Sequence, residues 1–226
     1  TAKFLKAAAL RLGRNEDVPV YDRDIEEWTK ALQTHAWDEE SGYFGYVVHN
    51  ETGFPIDILR YEGRINYNMG LGGVSPFISG SFSDAQNKAM LAHLTSPGQL
   101  WSPIGLTAVD QSAPYYKNGY WNGTVWFPHQ WFFWKAMFDF GQDEMAYRIV
   151  RTAIELWKRE VEASWNCYEY FPIETGRGAG WPRFGALSCP VLIWYHAFYK
   201  PGTVTVGLDT WIDKKTIHDK GMDLEL

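Results

Sequence analysis

This 226-residue chain predicts a mainly α-helical fold with a few short strands. Two observations carry that prediction. Long stretches repeat apolar residues at helical spacing, whereas strand-like alternation is confined to short pieces. The helical stretches also alternate in kind, some amphipathic and some apolar almost all round. An amphipathic helix covers a core from outside, but a helix apolar on every side needs protein around it. That alternation suits two concentric helical rings, and a simple helix bundle satisfies the same periodicity.

Taken in order, a first helix is expected near residues 2–12. The segment YDRDIEEWTKALQTHAW then places Ile25, Trp28, Leu32 and His35/Ala36 at helical spacing with charges between them, and Asp22 or Asp24 can cap its start. GYFGYVVHN alternates and reads as a short hairpin strand. A Gly-rich helix around 69–78 and another near 83–94 follow. PHQWFFWKAMFDFG is apolar almost all round, with Pro128 suited to its first turn and Gly141 to its end. It forms a helical hairpin with QDEMAYRIVRTAIELWKREVEA, whose inner face carries Met145, Ile149, Ala153 and Trp157 and whose start Asp143 can cap. CPVLIWYHAFY is the second helix expected to be surrounded by protein, and TVTVGLDTWI reads as a strand near the end.

Composition excludes several function classes. The net charge is −6 and no stretch gathers Lys and Arg, which argues against binding nucleic acid by phosphate neutralisation. No apolar run reaches the roughly 18 residues of a membrane helix. The opening TAKFLKAAALRLGRNED begins like an export signal but continues into charged helix, so it reads as structure. Cys167 and Cys189 are too few for a disulfide scaffold and read as two buried thiols, with one bridge as the other option. No Cys/His pattern or calcium-loop spacing calls for a metal, and no cofactor is implied.

Two long loops are the unusual part. Residues 96–126 and 163–188 are rich in Gly, Pro and aromatic residues, and long loops in a compact domain are usually functional. Residues 115–134, YYKNGYWNGTVWFPHQWFFW, hold ten aromatic side chains interrupted by Asn, Gly, Thr and His. Flat apolar rings interleaved with polar groups are what a sugar pocket needs, because sugars present C–H faces and a rim of hydroxyls. The plainer reading is an aromatic lead-in to a core helix, and it accounts for Phe132, Phe133 and Trp134 in either case.

The segments WNGTVWFP (121–128) and EYFPIETG (169–176), with HAWDEESGYFGY (35–46) upstream, resemble the closing part of the (α/α)6-toroid glycoside hydrolases. That group includes processing α-glucosidase and its bacterial relatives, trehalase and glycogen-debranching-type glucosidases. The resemblance covers most of residues 1–200, read as part of an (α/α)6 catalytic domain, with 201–226 a strand and tail packing on it or leading to a β-rich appendage. It implies hydrolysis of α-glycosidic, α-glucosidic above all, bonds in oligosaccharides or disaccharides with inversion. Such chemistry needs two carboxyl groups about 6.5–9.5 Å apart, one protonating the leaving oxygen and the other deprotonating water. By similarity Glu169 is the general base, with Tyr168, Tyr170 and Phe171 walling its site. The opposing reading pairs Glu169 with Arg177 or Arg183, and Glu174 is its nearest rival as base. Tyr120, Trp121 and Trp126 are expected as pocket walls beside Gly123, with Asn122 bonding hydroxyls and His129 contributing from the next helix. Many relatives carry Arg where Asn122 stands, which removes a bidentate donor.

A toroid of this class has twelve helices, two for each of its six repeats, and about seven are legible here. The aspartate that serves the group as general acid lies upstream of the helix resembling residues 1–12. Asp38 reads as a turn residue, and Asp57 and Asp110 as loop residues able to reach a pocket. The chain therefore reads as the base-bearing, C-terminal half of a catalytic domain. It is expected to associate with an N-terminal half or with itself, because its all-apolar helices would otherwise expose a large apolar surface. A carbohydrate-binding or inactive half-domain is the alternative.

Overall fold

Seven α-helices and five separate two-stranded antiparallel pairs make up the computed structural model, which describes residues 1–226. The chain divides into two units, Thr1–Leu91 and Ala92–Leu226. No helix is long and apolar enough to cross a membrane.

The first unit opens with α1 (Ala2–Arg11) and α2 (Val18–His35). The second helix begins earlier than its acidic residues suggest, and neither Asp22 nor Asp24 caps it. Pro19 sits in the first turn, where its fixed φ suits a helix and its missing N–H costs nothing. Asp22 instead pairs with Lys6 of α1 at 2.6 Å. No residue of α2 is buried, and Trp28 is 72 % exposed, so its apolar stripe lacks a cover within the chain.

Three small hairpins follow: β1 (Trp37–Asp38) with β2 (Tyr43–Phe44), β3 (Val47–His49) with β4 (Pro55–Ile58), and β5 (Arg60–Tyr61) with β6 (Ile65–Asn66). The stretch expected as one strand is thus split between two pairs. Gly45 marks the break, where a side chain would collide with Ile58. Asp38 accepts the Ser41 hydroxyl at 2.5 Å and closes the first turn, as its sequence setting suggests. Asp57, expected in a loop, lies in β4. The Gly-rich helix is a single turn, α3 (Leu71–Val74), running into a 3-10 turn at Ser75–Ser79 that contains Pro76. A Cβ on Gly73 would fall on the Asn68 and Phe44 carbonyl oxygens, so the backbones can meet there only through glycine. Helix α4 (Asp84–Thr95) ends the first unit and enters the second.

The second unit contains β7 (Trp101–Ser102) with β8 (Gly105–Leu106), then α5 (Phe127–Asp139), α6 (Asp143–Ser164) and α7 (Gly185–Tyr199). Pro128 lies in the first turn of α5, and Gly141 at φ +63° turns the chain into α6. Asp143 is the first residue of α6, favourable to its dipole, but Gln142 occupies the cap. Met145, Ile149 and Ala153 are buried as their spacing predicts. Trp134 of α5 meets Trp194 of α7 edge-on at 6.4 Å, and these two fully buried rings anchor the core. Helix α7 departs from expectation: Leu192 is 70 % exposed, and Ile193, Tyr195 and Tyr199 are exposed beside it. Neither cysteine is buried or bridged, Cys167 being half-buried and Cys189 exposed.

TVTVGLDTWI forms no paired strand. Side chains of α5 hold it instead: Lys135 donates to the Val206 carbonyl, and the Asp139 carboxylate accepts the N–H groups of Leu208 (2.8 Å) and Asp209 (3.2 Å). Backbone groups satisfied in this way have no need of a ladder. The terminal hairpin comes later, β9 (Lys214–His218) with β10 (Gly221–Glu225).

Candidate active site

The two long loops of the second unit are stitched together at their backbones. Val125 and Phe171 exchange both hydrogen bonds, at 2.9 and 3.0 Å, and Thr107 bridges Val125 on its other side. Tyr170 bridges Ala179 in turn. This zipper brings residues 120–126 beside residues 168–171, the two motifs that stand nearly fifty positions apart in the chain.

Aromatic rings build outward from it. Trp126, 1 % exposed, is the middle of a stack: Trp121 lies parallel on it at 3.6 Å, and Tyr170 covers it at 5.1 Å. Trp126 is therefore not the pocket wall that its motif suggests, because its faces are taken by these rings, which it supports. The rings that reach solvent are Trp121 (43 % exposed) and Tyr120 (50 %). Tyr120 sits at φ +43°, and its carbonyl accepts the Thr124 hydroxyl and the Trp126 indole N–H. That turn projects Trp121 and Asn122 outward. The side-chain amide of Asn122 is exposed and makes no hydrogen bond within the chain. Gly123 is buried against Tyr116, where a Cβ would strike the ring and the Lys117 carbonyl.

His129 is the third residue of α5, with its ring edge-on to Trp121 at 5.0 Å. Its Nδ1 is buried without a hydrogen-bond partner, and burial pushes the imidazole below its ordinary 6.5. The ring is therefore mainly neutral at pH 7.

Glu169 is half-buried. Neither arginine weighed as its partner forms an ion pair with it: Arg177 is held elsewhere and Arg183 is exposed. Its Oε2 accepts the backbone N–H of Trp181 at 3.2 Å, and Oε1 meets no donor of the chain. Gly180 (φ +74°) touches both this carboxylate and the Tyr170 ring, and a side chain there would collide with both. Tyr168 lies half-buried over Gly178. Glu174 is exposed and faces Tyr116, whose hydroxyl is raised first by burial and then by that charge.

Of the two carboxylates expected to reach a pocket, Asp110 is buried in a turn and Asp57 lines a separate cleft of the first unit. Asp110 is fully buried and accepts the Ser112 N–H (2.8 Å) and hydroxyl (2.6 Å), closing a turn. Asp57 and Asp38 lie 3.7 Å on either side of the Arg60 guanidinium, in a cleft of the first unit of about 230 Å3. That cleft is also lined by Trp37 and His35. No three metal-ligating side chains gather anywhere in the chain.

Two residues that sequence reading passes over organise the loops. The buried amide of Gln130 clamps Leu106, accepting its N–H at 2.9 Å and donating to its carbonyl at 2.8 Å. Buried Glu160 accepts Arg177 Nε (2.7 Å) and Nη2 (3.2 Å) and the Gly178 N–H (2.9 Å). The Arg177 bond is the main cause holding the Glu160 carboxyl at about 2, with burial opposing it. A polar residue at a core-facing helical position is the available signal for both.

Residues 1–185 match the family model described as the mannosylglycerate hydrolase MGH1-like glycoside hydrolase domain. No curated protein matches in sequence. Among solved structures, an uncharacterized conserved protein from Thermus thermophilus is 24% identical with a TM-score of 0.67, over 85% of this chain and 43% of that one. The GH63 mannosylglycerate hydrolase of the same organism, solved with glucose, is 23% identical at TM-score 0.66, over 86% and 44%. Neutral trehalase from Saccharomyces cerevisiae is 15% identical at 0.56, over 81% and 31%. The fold is thus that of part of a toroid glycoside hydrolase, and the chain spans less than half the length of these structures.

Proposed function

Because the chain belongs to the MGH1-like glycoside hydrolase domain family, we propose that it supplies the general base and the aromatic sugar platform of an inverting α-glycosidase. The observation that carries this reading is the state of Glu169. One oxygen is tethered by a backbone N–H, the other meets no donor of the chain, and the neighbouring Tyr170 packs against Tyr120 and Trp126 of the aromatic motif.

In the proposed reaction Trp121 and Tyr120 take the C–H face of the sugar while Asn122 bonds its hydroxyls. A water between Glu169 Oε1 and the anomeric carbon gives its proton to the carboxylate as it attacks from the face opposite the leaving oxygen. The acid that protonates that oxygen belongs about 6.5–9.5 Å from Glu169. Asp110 and the Asp38–Arg60–Asp57 group are already engaged, so we assign the acid to a part of the toroid outside these residues. The exposed face of α7 is where that part would pack. A monodisperse monomer in light scattering that also hydrolyses glycosides would overturn this assignment.

Substrates are sought among α-linked glycosides of short length. The named relatives act on mannosylglycerate and trehalose, so both belong in the panel with α-gluco-disaccharides. The test is turnover by wild type and Glu169→Gln, with the anomer of the first product read by NMR. Loss on the order of 100- to 10,000-fold in the variant, with inverted product, is expected. Retained configuration would sink the mechanism. A second reading, a sugar-binding domain without hydrolysis, is favoured by the engagement of Asp110, Asp38 and Asp57 within the chain. Sugar binding unaffected by Glu169→Gln, with no turnover in either protein even after the remaining toroid is added, would establish it.

A further inference from the structure

Glu160 and Arg177 make no hydrogen bond or ion pair with Glu169, yet they are joined to that carboxylate by an unbroken run of short contacts. We propose that the Glu160–Arg177 pair is a positioning lock that sets the orientation of the Glu169 carboxylate through residues 176–181. This deepens the reading of Glu169 as general base and rests on it.

The run starts on a rigid support. Near the C-terminal end of α6, Arg159 and Glu160 grip three consecutive loop residues. Arg159 Nη2 donates to the Gly176 carbonyl at 3.1 Å, while Glu160 takes Arg177 with both oxygens and Gly178 through its N–H. A forked guanidinium–carboxylate contact fixes orientation as well as distance. The next residue, Ala179, donates to the Tyr170 carbonyl at 2.9 Å and accepts the N–H groups of Glu169 (3.2 Å) and Tyr170 (3.3 Å). Gly180 then passes against the Glu169 carboxylate, and the Trp181 N–H lands on Oε2.

The loop has no slack along this path. Gly178 lies so close under the Tyr168 ring that a Cβ would overlap it, and Gly180 is left-handed with Glu169 and Tyr170 where its side chain would be. Displacing Arg177 therefore moves the Trp181 N–H. A carboxylate rotates about its last torsion between two broad, equivalent orientations. A donor on one oxygen breaks that equivalence and leaves the other oxygen presented to water. Glu160 and Arg177 are thus positioning residues: without them the carboxylate persists, but its open oxygen is no longer held in one place.

The experiment follows the Trp181 backbone amide of the full 15N-labelled chain by NMR through an acid titration. Wild type, Glu160→Gln, Arg177→Lys and Glu169→Gln are compared. In wild type the Trp181 amide shifts as Glu169 titrates, and Glu169→Gln removes that shift. In Glu160→Gln and Arg177→Lys the shift loses most of its amplitude while core amides of α6 such as Ala146 stay in place. Where turnover is measured, kcat falls on the order of 10- to 100-fold with KM nearly unchanged, less in Arg177→Lys. A Trp181 amide that titrates with full amplitude in both variants overturns the lock, and so does a loss confined to KM. Should Glu160→Gln fail to fold, Arg177→Lys at its half-exposed position decides alone. Turnover surviving Glu169→Gln would instead remove the base reading, and the amide titration would still judge the lock.

Discussion

The loop leading into α5 and the loop leading into α7 look alike in sequence, long and rich in Gly, Pro and rings, yet they are secured by different physics. Mainly neutral groups hold the first from within the core, the Gln130 amide on Leu106, the Thr107 hydroxyl on the Leu100 and Val109 carbonyls, and the Thr124 hydroxyl on Tyr120, with one carboxylate, Asp110, closing a turn on Ser112. The second is gripped from a helix flank by the charged pair of Glu160 with Arg177 and the Gly178 N–H, beside the Arg159 bond to Gly176 and the backbone bonds of residues 169–171. Neutral bonds in a buried site are indifferent to pH and salt, whereas a clamp built on a carboxylate is not. The rings that would meet sugar thus stand on a fixed floor, and the carboxylate that would activate water stands on an adjustable arm.

The largest effect expected from this contrast is on the neutral side. Gln130→Ala would leave the N–H and carbonyl of fully buried Leu106 without partners. It should cost about 2–4 kcal/mol of stability, since each orphaned buried group costs about 1–3 kcal/mol. Urea unfolding monitored by circular dichroism checks this. A cost below that of Glu160→Gln in the same assay would reverse the ranking of the two supports.

How much of this is legible in the sequence follows the same divide. The helices α5, announced by an apolar run between Pro128 and Gly141, and α6, announced by periodicity, lie where the pattern puts them, and the aromatic and Glu169 motifs are adjacent. What the pattern misses is set at long range. The strand expected at 203–212 is not paired because Lys135 and Asp139, some seventy residues earlier, already occupy its backbone. Trp126 and Trp121 are equivalent letters in the motif, and only the arrival of Tyr170 from the other loop buries one and leaves the other in solvent. The two apolar helices are equally indistinguishable by composition. Hydrophobicity says that a helix wants cover, and it does not say what provides it, which is how α7 comes to expose Leu192 and Tyr195.

Acid should separate the two loops next. Native Glu160 titrates at about 2 against an ordinary 4.5, so the folded state favours its ionised form. Its contribution is complete above 4.5 and is lost as the pH falls toward 2. Discounted for the half-exposed Arg177 partner, that contribution is about 2 kcal/mol. Brief digestion with pepsin across this window, mapped by mass spectrometry, should cut first within residues 176–184. Residues 104–110 should stay intact until global unfolding. A first cut in the α5 loop would break the comparison outright.

The smallest effect sharpens the role of the floor itself. Trp121 lies on Trp126 but leaves its outer face to solvent, so its removal uncovers one buried ring and deletes one exposed platform. Because the neutral bonds beneath do not involve its side chain, Trp121→Ala should scarcely move the urea midpoint. Affinity for the sugar should fall by about 1 kcal/mol, roughly fivefold, the scale of one aromatic contact. Calorimetric titration with the best glycoside of the panel, performed on Glu169→Gln to prevent turnover, measures this loss. Were the stability cost to exceed the loss of binding, Trp121 would be core cover for Trp126, and the sugar face would have to be sought on Tyr120.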